Sequence, residues 1–135
     1  MIRVGDTAAQ LASIPNTLVT RDAPLSAYTR FGIGGPADIY VETANPESFV
    51  DALRVARESG LPTVVMGGGT NLIVSDDGFR GVVLKLASEQ IRADGTSVCV
   101  EGGAVLQHLV DFAVDSGLKG LETMTGIPGS VGAAI

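Results

Sequence analysis

The stretch Met66-Gly67-Gly68-Gly69-Thr70-Asn71-Leu72-Ile73-Val74 decides how this chain is read. Three consecutive glycines separate Val64-Val65-Met66, which reads as a buried strand, from a second short apolar run, Leu72-Ile73-Val74. Glycine has no side chain and permits positive φ, so several main-chain N–H groups can point into one concavity. Such a cradle suits a phosphate or pyrophosphate, and Thr70 and Asn71 add side-chain donors at its rim. The run is not a P-loop, because no Lys-Ser/Thr pair follows the glycines. Nor is it a Rossmann fingerprint, which needs G-x-G-x-x-G opening a helix and an acidic residue about twenty positions later. Here β-branched residues follow, and then the turn signal Asp76-Asp77-Gly78. The loop therefore joins strand to strand, or strand to irregular chain. An isolated triple glycine is most simply a turn, so its meaning rests on what surrounds it.

Upstream lies the clearest helix. Asn45 suits an N-cap, Pro46 the first helical position and Glu47 the positive end of the dipole. Phe49, Ala52, Leu53 and Ala56 recur at helical spacing, Gly60 closes the helix, and Pro62 prevents its return. A short alternating strand, Asp38–Glu42, precedes it and Thr63–Met66 follows. Strand, helix, strand fits a βαβ crossover with two parallel strands. The glycine loop then sits at the C-terminal end of a parallel strand, where open α/β sheets place ligands.

Elsewhere Asp6 or Thr7 could cap a weak helix over Ala8–Ser13, and polar Thr20–Arg30, with Pro24, reads as a connecting segment. Gly81–Leu86 is a further strand, and Asp94-Gly95 predicts a hairpin turn between Glu89–Ala93 and Thr96–Glu101. A second helix is expected over Val105–Ser116, with Leu106, Leu109, Val110, Ala113 and Val114 as its apolar face and Gly117 as its stop. His108 falls opposite that face and reads as a surface residue.

The 135 residues are one domain or part of one, and 45% hydrophobic content is ordinary for a packed core. A net charge of −6 argues against nucleic-acid binding, which wants clustered Lys and Arg. Arg30, Arg80, Lys85 and Lys119 are scattered singly, so no cationic clamp for an anion is visible. The single Cys99 excludes an intrachain disulfide and a Cys-based metal site; within Ser97–Val100 it is expected to be a buried structural thiol. No signal peptide and no run long enough to cross a bilayer is recognised, so a cytoplasmic setting without membrane association is expected.

Three stretches, in order and in register, resemble the UDP-N-acetylenolpyruvoylglucosamine reductase (UDP-N-acetylmuramate dehydrogenase) family, over roughly residues 18–135. They are Tyr28-Thr29-Arg30-Phe31-Gly32-Ile33-Gly34-Gly35-Pro36-Ala37, Gly67-Gly68-Gly69-Thr70-Asn71-Leu72, and Gly126-Ile127-Pro128-Gly129-Ser130-Val131-Gly132-Ala133. Gly117-Leu118-Lys119-Gly120-Leu121-Glu122 is similar to the family segment before the last motif. The resemblance implies an α/β (α+β) FAD-binding fold of the vanillyl-alcohol oxidase/PCMH type, a small α/β subdomain with the start of a second. Residues 1–17 would be an N-terminal extension and 18–135 the N-terminal FAD-binding part. It implies FAD as cofactor. Gly67, Gly68, Gly69, Thr70, Asn71 and Leu72 would lie at the pyrophosphate, and Gly126, Ile127, Pro128, Gly129, Ser130, Gly132 and Ala133 further along the dinucleotide. It further implies NADPH as hydride donor, a UDP-sugar enolpyruvate as substrate, and a place in peptidoglycan precursor synthesis.

The family's serine acid, its glutamate partner and the substrate-binding domain have no counterpart here, so no catalytic residue is assigned. Ser130 belongs by position to the cofactor loop. The expectation is a fragment that a complementing C-terminal chain would complete. Alternatives are a stand-alone FAD or nucleotide holder, and a flavin oxidase of the same superfold. The oxidases often tether FAD through His or Cys, and neither glycine motif holds one. All these readings require the two glycine turns to face one cleft.

Overall fold

The computed structural model describes residues 3–135; the first two residues of the expected extension lie outside the described residues. Helix α1 (Val4–Ala12) leads into strand β1 (Leu18–Pro24), a 3-10 turn (Leu25–Ala27), strand β2 (Pro36–Thr43), helix α2 (Pro46–Glu58) and strand β3 (Thr63–Met66). Strand β4 (Phe79–Leu86), the hairpin β5 (Ile91–Asp94) and β6 (Ser97–Val100), helix α3 (Leu106–Asp115), a 3-10 turn (Glu122–Met124) and helix α4 (Val131–Ala134) complete the chain.

Four strands form one sheet in the order β1-β2-β4-β3. β2 and β3 each run parallel to β4, as the crossover through α2 requires, and β4 lies between them. α2 begins where its cap places it: Asn45 Oδ1 accepts from the Ser48 N–H at 2.9 Å. Strand alternation then sorts the side chains. Ile39 and Val41 of β2 and Val82 and Leu84 of β4 pack against Ala8 and Leu11 of α1 and Ala52 and Ala56 of α2. Each such large aliphatic side chain contributes roughly 1.5–3 kcal/mol by leaving water. The other sheet face carries Tyr40, Val83 and Met66, covered by Leu25, Tyr28, Leu72 and Val74. A third core joins α3 and Val131 to the hairpin residues Ile91, Val98 and Val100.

Tyr40 is fully buried and stacks on Tyr28, ring centroids 4.0 Å apart. Its hydroxyl donates to Glu42 Oε2 at 2.6 Å, and the Lys85 ammonium lies 4.0 Å from the same oxygen. Burial first, and the bond to Glu42 second, hold the phenol neutral far above its ordinary range.

Several expectations are corrected. α1 starts at Val4 behind an extended Arg3, so Asp6 stands in its first turn and Thr7 Oγ1 donates back to Arg3 O; neither caps it. Leu11 is fully buried, which binds this helix into the first core. The connecting segment Thr20–Arg30 is in part strand β1, antiparallel to β2 at the sheet edge. In the hairpin, Asp94 pairs with Ser97, so Gly95 and Thr96 make the turn. Only Gly95 there has positive φ (59°), the type II′ pattern with Gly first, and not the Asp-Gly pattern. Val114 is 55% exposed, because it sits roughly 90° from the centre of the α3 stripe at 100° per residue. Cys99 is exposed, on the side of β6 opposite Val98 and Val100. His108 is exposed, as expected.

Two glycines give a sharp contrast in stability. Gly78 (φ 79°) packs so closely on Pro36 that a Cβ would collide with its carbonyl oxygen. Gly78→Ala is expected to cost about 3 kcal/mol or more. Gly5 lies in the first turn of α1 with no atom of the described residues within 4 Å of an added Cβ, so Gly5→Ala should stabilise by about 0.5 kcal/mol. Urea midpoints of the two variants check both signs. A third expectation concerns pH. The unfolded chain releases the Tyr40 proton near pH 10 while the native state keeps it, so stability falls as pH rises through about 10. Tyr40→Phe should flatten that fall, measured as urea midpoints between about pH 9 and pH 11.

Candidate functional site

β3 and β4 are parallel neighbours, yet no helix joins them. Residues 67–78 must therefore carry the chain back along the sheet to the start of β4. They do so over the face that carries Tyr40, Val83 and Met66, where Leu72 and Val74 pack down. The loop is fixed near its two ends. The Arg30 N–H donates to Gly69 O at 2.9 Å, and the Gly35 N–H to Ser75 O at 2.8 Å. Arg80, ion-paired to Asp38 at 3.0 Å, also donates to Pro36 O and Asp77 O, riveting the far end.

The three glycines do different work. A Cβ on Gly67 would meet Ser130 Oγ at 2.7 Å and Ala133 Cβ at 3.7 Å, so Gly67 is where the first glycine turn touches the third stretch. Gly69 (φ 66°) is buried and lies against the Tyr28 carbonyl, leaving no room for a side chain. Gly68 alone looks outward: only Thr70 Cγ2, at 3.9 Å, comes near an added Cβ. The main-chain N–H groups of Gly68, Gly69, Thr70 and Asn71 donate to no main-chain acceptor among the described residues. Main-chain donors without such partners thus cluster at the C-terminal end of a parallel strand.

Residues 126–133 meet this loop, since Gly129 lies beside Thr70, whose Oγ1 would be 3.3 Å from an added Cβ. Their own donors are mostly engaged. The N–H of Gly126 is taken by Gln107 Oε1, Ile127 by Met124 O, Val131 by Ala104 O and Gly132 by Gly102 O. Leu106 N–H in turn holds Gly129 O at 2.9 Å. Only the N–H groups of Gly129 and Ser130 lack such an acceptor among the described residues. The segment entering this loop is shaped by Glu122, whose carboxylate accepts from the Gly120 N–H; the nearby main-chain N–H groups, its own first and that of Gly120 next, hold it below its usual range.

Beside the first loop lies a cavity of about 480 Å³. Gly67, Gly68, Gly69, Thr70, Asn71 and Leu72 line it, and Ala133 reaches it from the other stretch. Gly126, Ile127, Pro128, Gly129, Ser130 and Gly132 do not line it. Its walls are apolar: Val64 and Val65 of β3 and Ile73 are 41%, 53% and 75% exposed. No ionisable side chain lines it. Sequence reasoning missed Leu25 and Phe79 as lining residues, because each comes from a remote segment with no motif of its own. It also missed Gln107, a single polar residue on a helix.

The two glycine stretches thus touch at Gly67 and Thr70, and of the second stretch only Ala133 reaches the cavity. Residues 37–135 match the family model described as FAD binding domain. The chain is 57% identical over 126 residues to a UDP-N-acetylenolpyruvoylglucosamine reductase of Solibacter usitatus, covering 93% of this chain and 40% of the relative. A crystal structure of UDP-N-acetylenolpyruvylglucosamine reductase from Thermus caldophilus superposes with a TM-score of 0.65 at 35% identity, over 87% of this chain and 40% of that one. p-Cresol methylhydroxylase superposes with a TM-score of 0.61 at 16% identity over 84% of this chain and 25% of that one, a likeness of fold. The chain spans about 40% of the length of the curated relatives it matches. With the PCMH-type α/β fold and a matching model over residues 37–135, the chain belongs to the FAD-binding domain family, and its relatives there are UDP-N-acetylenolpyruvoylglucosamine reductases.

Proposed function

We propose that this chain is the FAD-holding part of a reductase acting on a UDP-sugar enolpyruvate, as its relatives' name suggests, with NADPH as the hydride donor. The observation that carries the reading is the set of main-chain donors from Gly68 to Asn71 that have no main-chain partner among the described residues, on a loop that lines the cavity and touches a second glycine loop. A pyrophosphate carries two negative charges, and aimed N–H groups hold it without Lys or Arg. The residues present therefore fit FAD: a donor nest for the phosphates, and an apolar cavity of about 480 Å³ beside it. Gly68, Thr70 and Asn71 would bind the pyrophosphate, with Gly67 and Gly69 keeping the loop in shape and Leu72 anchoring it to the core. Gly129 and Ser130 would donate from the opposite side, while Gly126, Ile127, Pro128, Gly132 and Ala133 form the wall along the dinucleotide.

FAD, when bound, supplies the hydride chemistry of the reduction. What these residues add is placement and a partly water-excluding wall. Among the described residues no acid or base lines the cavity; the proposal leaves the proton for the reduced carbon, and the NADPH and UDP-sugar sites, to the remainder of a family-length polypeptide. The division into residues 1–17 and an FAD-binding part over 18–135 belongs to the same proposal, as does a role in cell-wall precursor synthesis in the cytoplasm. The unionisable cleft also favours a second reading, a module that binds FAD or a nucleotide without chemistry of its own.

Gel filtration after incubation with FAD should retain visible flavin absorbance on the protein; complete loss of flavin would end both readings. Gly68→Val should weaken FAD binding by about tenfold or more, roughly 1.4 kcal/mol, with thermal stability unchanged, since space around Gly68 is open. NADPH oxidation should be absent for residues 1–135 alone and appear when the rest of a family-length chain is supplied. Turnover by 1–135 alone would refute the division of labour.

A further inference from the structure

We infer that Gln107, held in one orientation by Asp111, is a positioning residue for the second glycine loop and hence for the dinucleotide. The inference rests on the reading of the cleft as an FAD site. Gln107 is in the first turn of α3, and its side-chain oxygen accepts from the Gly126 N–H at 2.9 Å. Its side-chain nitrogen donates to Asp111 Oδ1, one helical turn on, also at 2.9 Å. An amide side chain can present either its oxygen or its NH2 group; an ionised carboxylate only accepts. Asp111 therefore turns the NH2 group of Gln107 toward itself and its oxygen toward Gly126.

The placement of this contact gives it leverage. The far end of the loop is gripped by main-chain bonds: Leu106 N to Gly129 O, Val131 N to Ala104 O and Gly132 N to Gly102 O. The near end has one bond to α3, the one from Gly126 to Gln107. Among the described residues no heavy atom lies within 4 Å of an added Cβ on Gly126, while Leu121 and Met124 just before it pack against the third core. Without Gln107, the main-chain hydrogen bonds donated by residues 125–128 among the described residues are the local turn bonds from Thr125 to Glu122 O and from Ile127 to Met124 O. Gln107 also takes the Gly126 N–H out of the set a ligand could use, leaving Gly129 and Ser130 as the donors of this loop. The loop then opposes the free donors of Gly68–Asn71 as a fixed wall.

The test has two arms on the full 135-residue chain. Amide hydrogen exchange, read residue by residue by NMR without ligand, should speed up at Gly126 by about tenfold or more in Gln107→Ala, with Leu106 and Val131 unchanged. FAD titration should show an affinity about tenfold weaker in the same variant. The exchanged pair Gln107→Glu with Asp111→Gln keeps an acceptor for Gly126 and reverses the donor and acceptor behind it; it should restore both readouts. Should Gln107→Ala fail to fold, Asp111→Ala frees the Gln107 amide to rotate and should raise Gly126 exchange by a smaller factor. Unchanged exchange at Gly126 overturns the anchor. Fast exchange with wild-type FAD affinity overturns the link to the cofactor, and a folded exchanged pair that restores neither overturns the orienting role of Asp111. A wild-type chain that takes up no FAD overturns the reading of the cleft, while the exchange arm still decides the anchor by itself.

Discussion

Two parallel strands lying side by side force the chain between them to travel back the full length of the sheet. In most α/β units a helix makes that journey. Here residues 67–78 make it as irregular chain between β3 and β4. Irregular chain has no internal ladder to satisfy its N–H groups, so donors are left over where the chain turns away from β3. It also has to be pinned from outside, which is the task of Gly35, Arg30, Arg80 and the half-buried Leu72 and Val74. The donor nest and its tethers are consequences of one topological choice.

Charge follows the same logic. The chain carries a formal −6, and a side-chain clamp for a dianion would need several cations that it does not gather. Main-chain dipoles would serve instead in the proposed site, because they are neutral in sum and directional in place. Lys85 is the cation at the end of the strand next to Met66, and it is turned to Glu42 beneath the loop. Glu42 in turn accepts from Tyr40, which stacks on Tyr28, and the Tyr28 carbonyl lies against Gly69. The polar chain under the sheet surface thus ends at the glycine turn it supports.

Much of this was legible in the sequence where local and tertiary preferences agree. Asn45-Pro46-Glu47 fixed the start of α2, and the crossover placed the glycine run at the end of a parallel strand. β1 escaped notice because Arg21, Asp22 and Pro24 look like a connection. An edge strand bonds on one side only, so it tolerates such residues, including Asp22 at φ 50°. For Cys99 the information was present and was outweighed by the usual burial of thiols. With Val98 and Val100 turned to the third core, alternation leaves Cys99 to solvent. The different duties of Gly67, Gly68 and Gly69 could not be read from three identical letters, since they depend on Ser130 and Tyr28, remote in the chain. The role of Gln107 is likewise a matter of contact across the fold, with no motif to announce it.

The tethering of residues 67–78 near both ends bears on how a guest molecule would be received. A receptor that must organise itself around an arriving guest loses affinity to the entropy of that rearrangement. Here the hinges are already shut, so the conformational freedom of the turn is surrendered when the polypeptide folds and not when it meets its guest. Association would then resemble docking on a rigid mould, its speed set by diffusion and orientation and not by the closing of a flap.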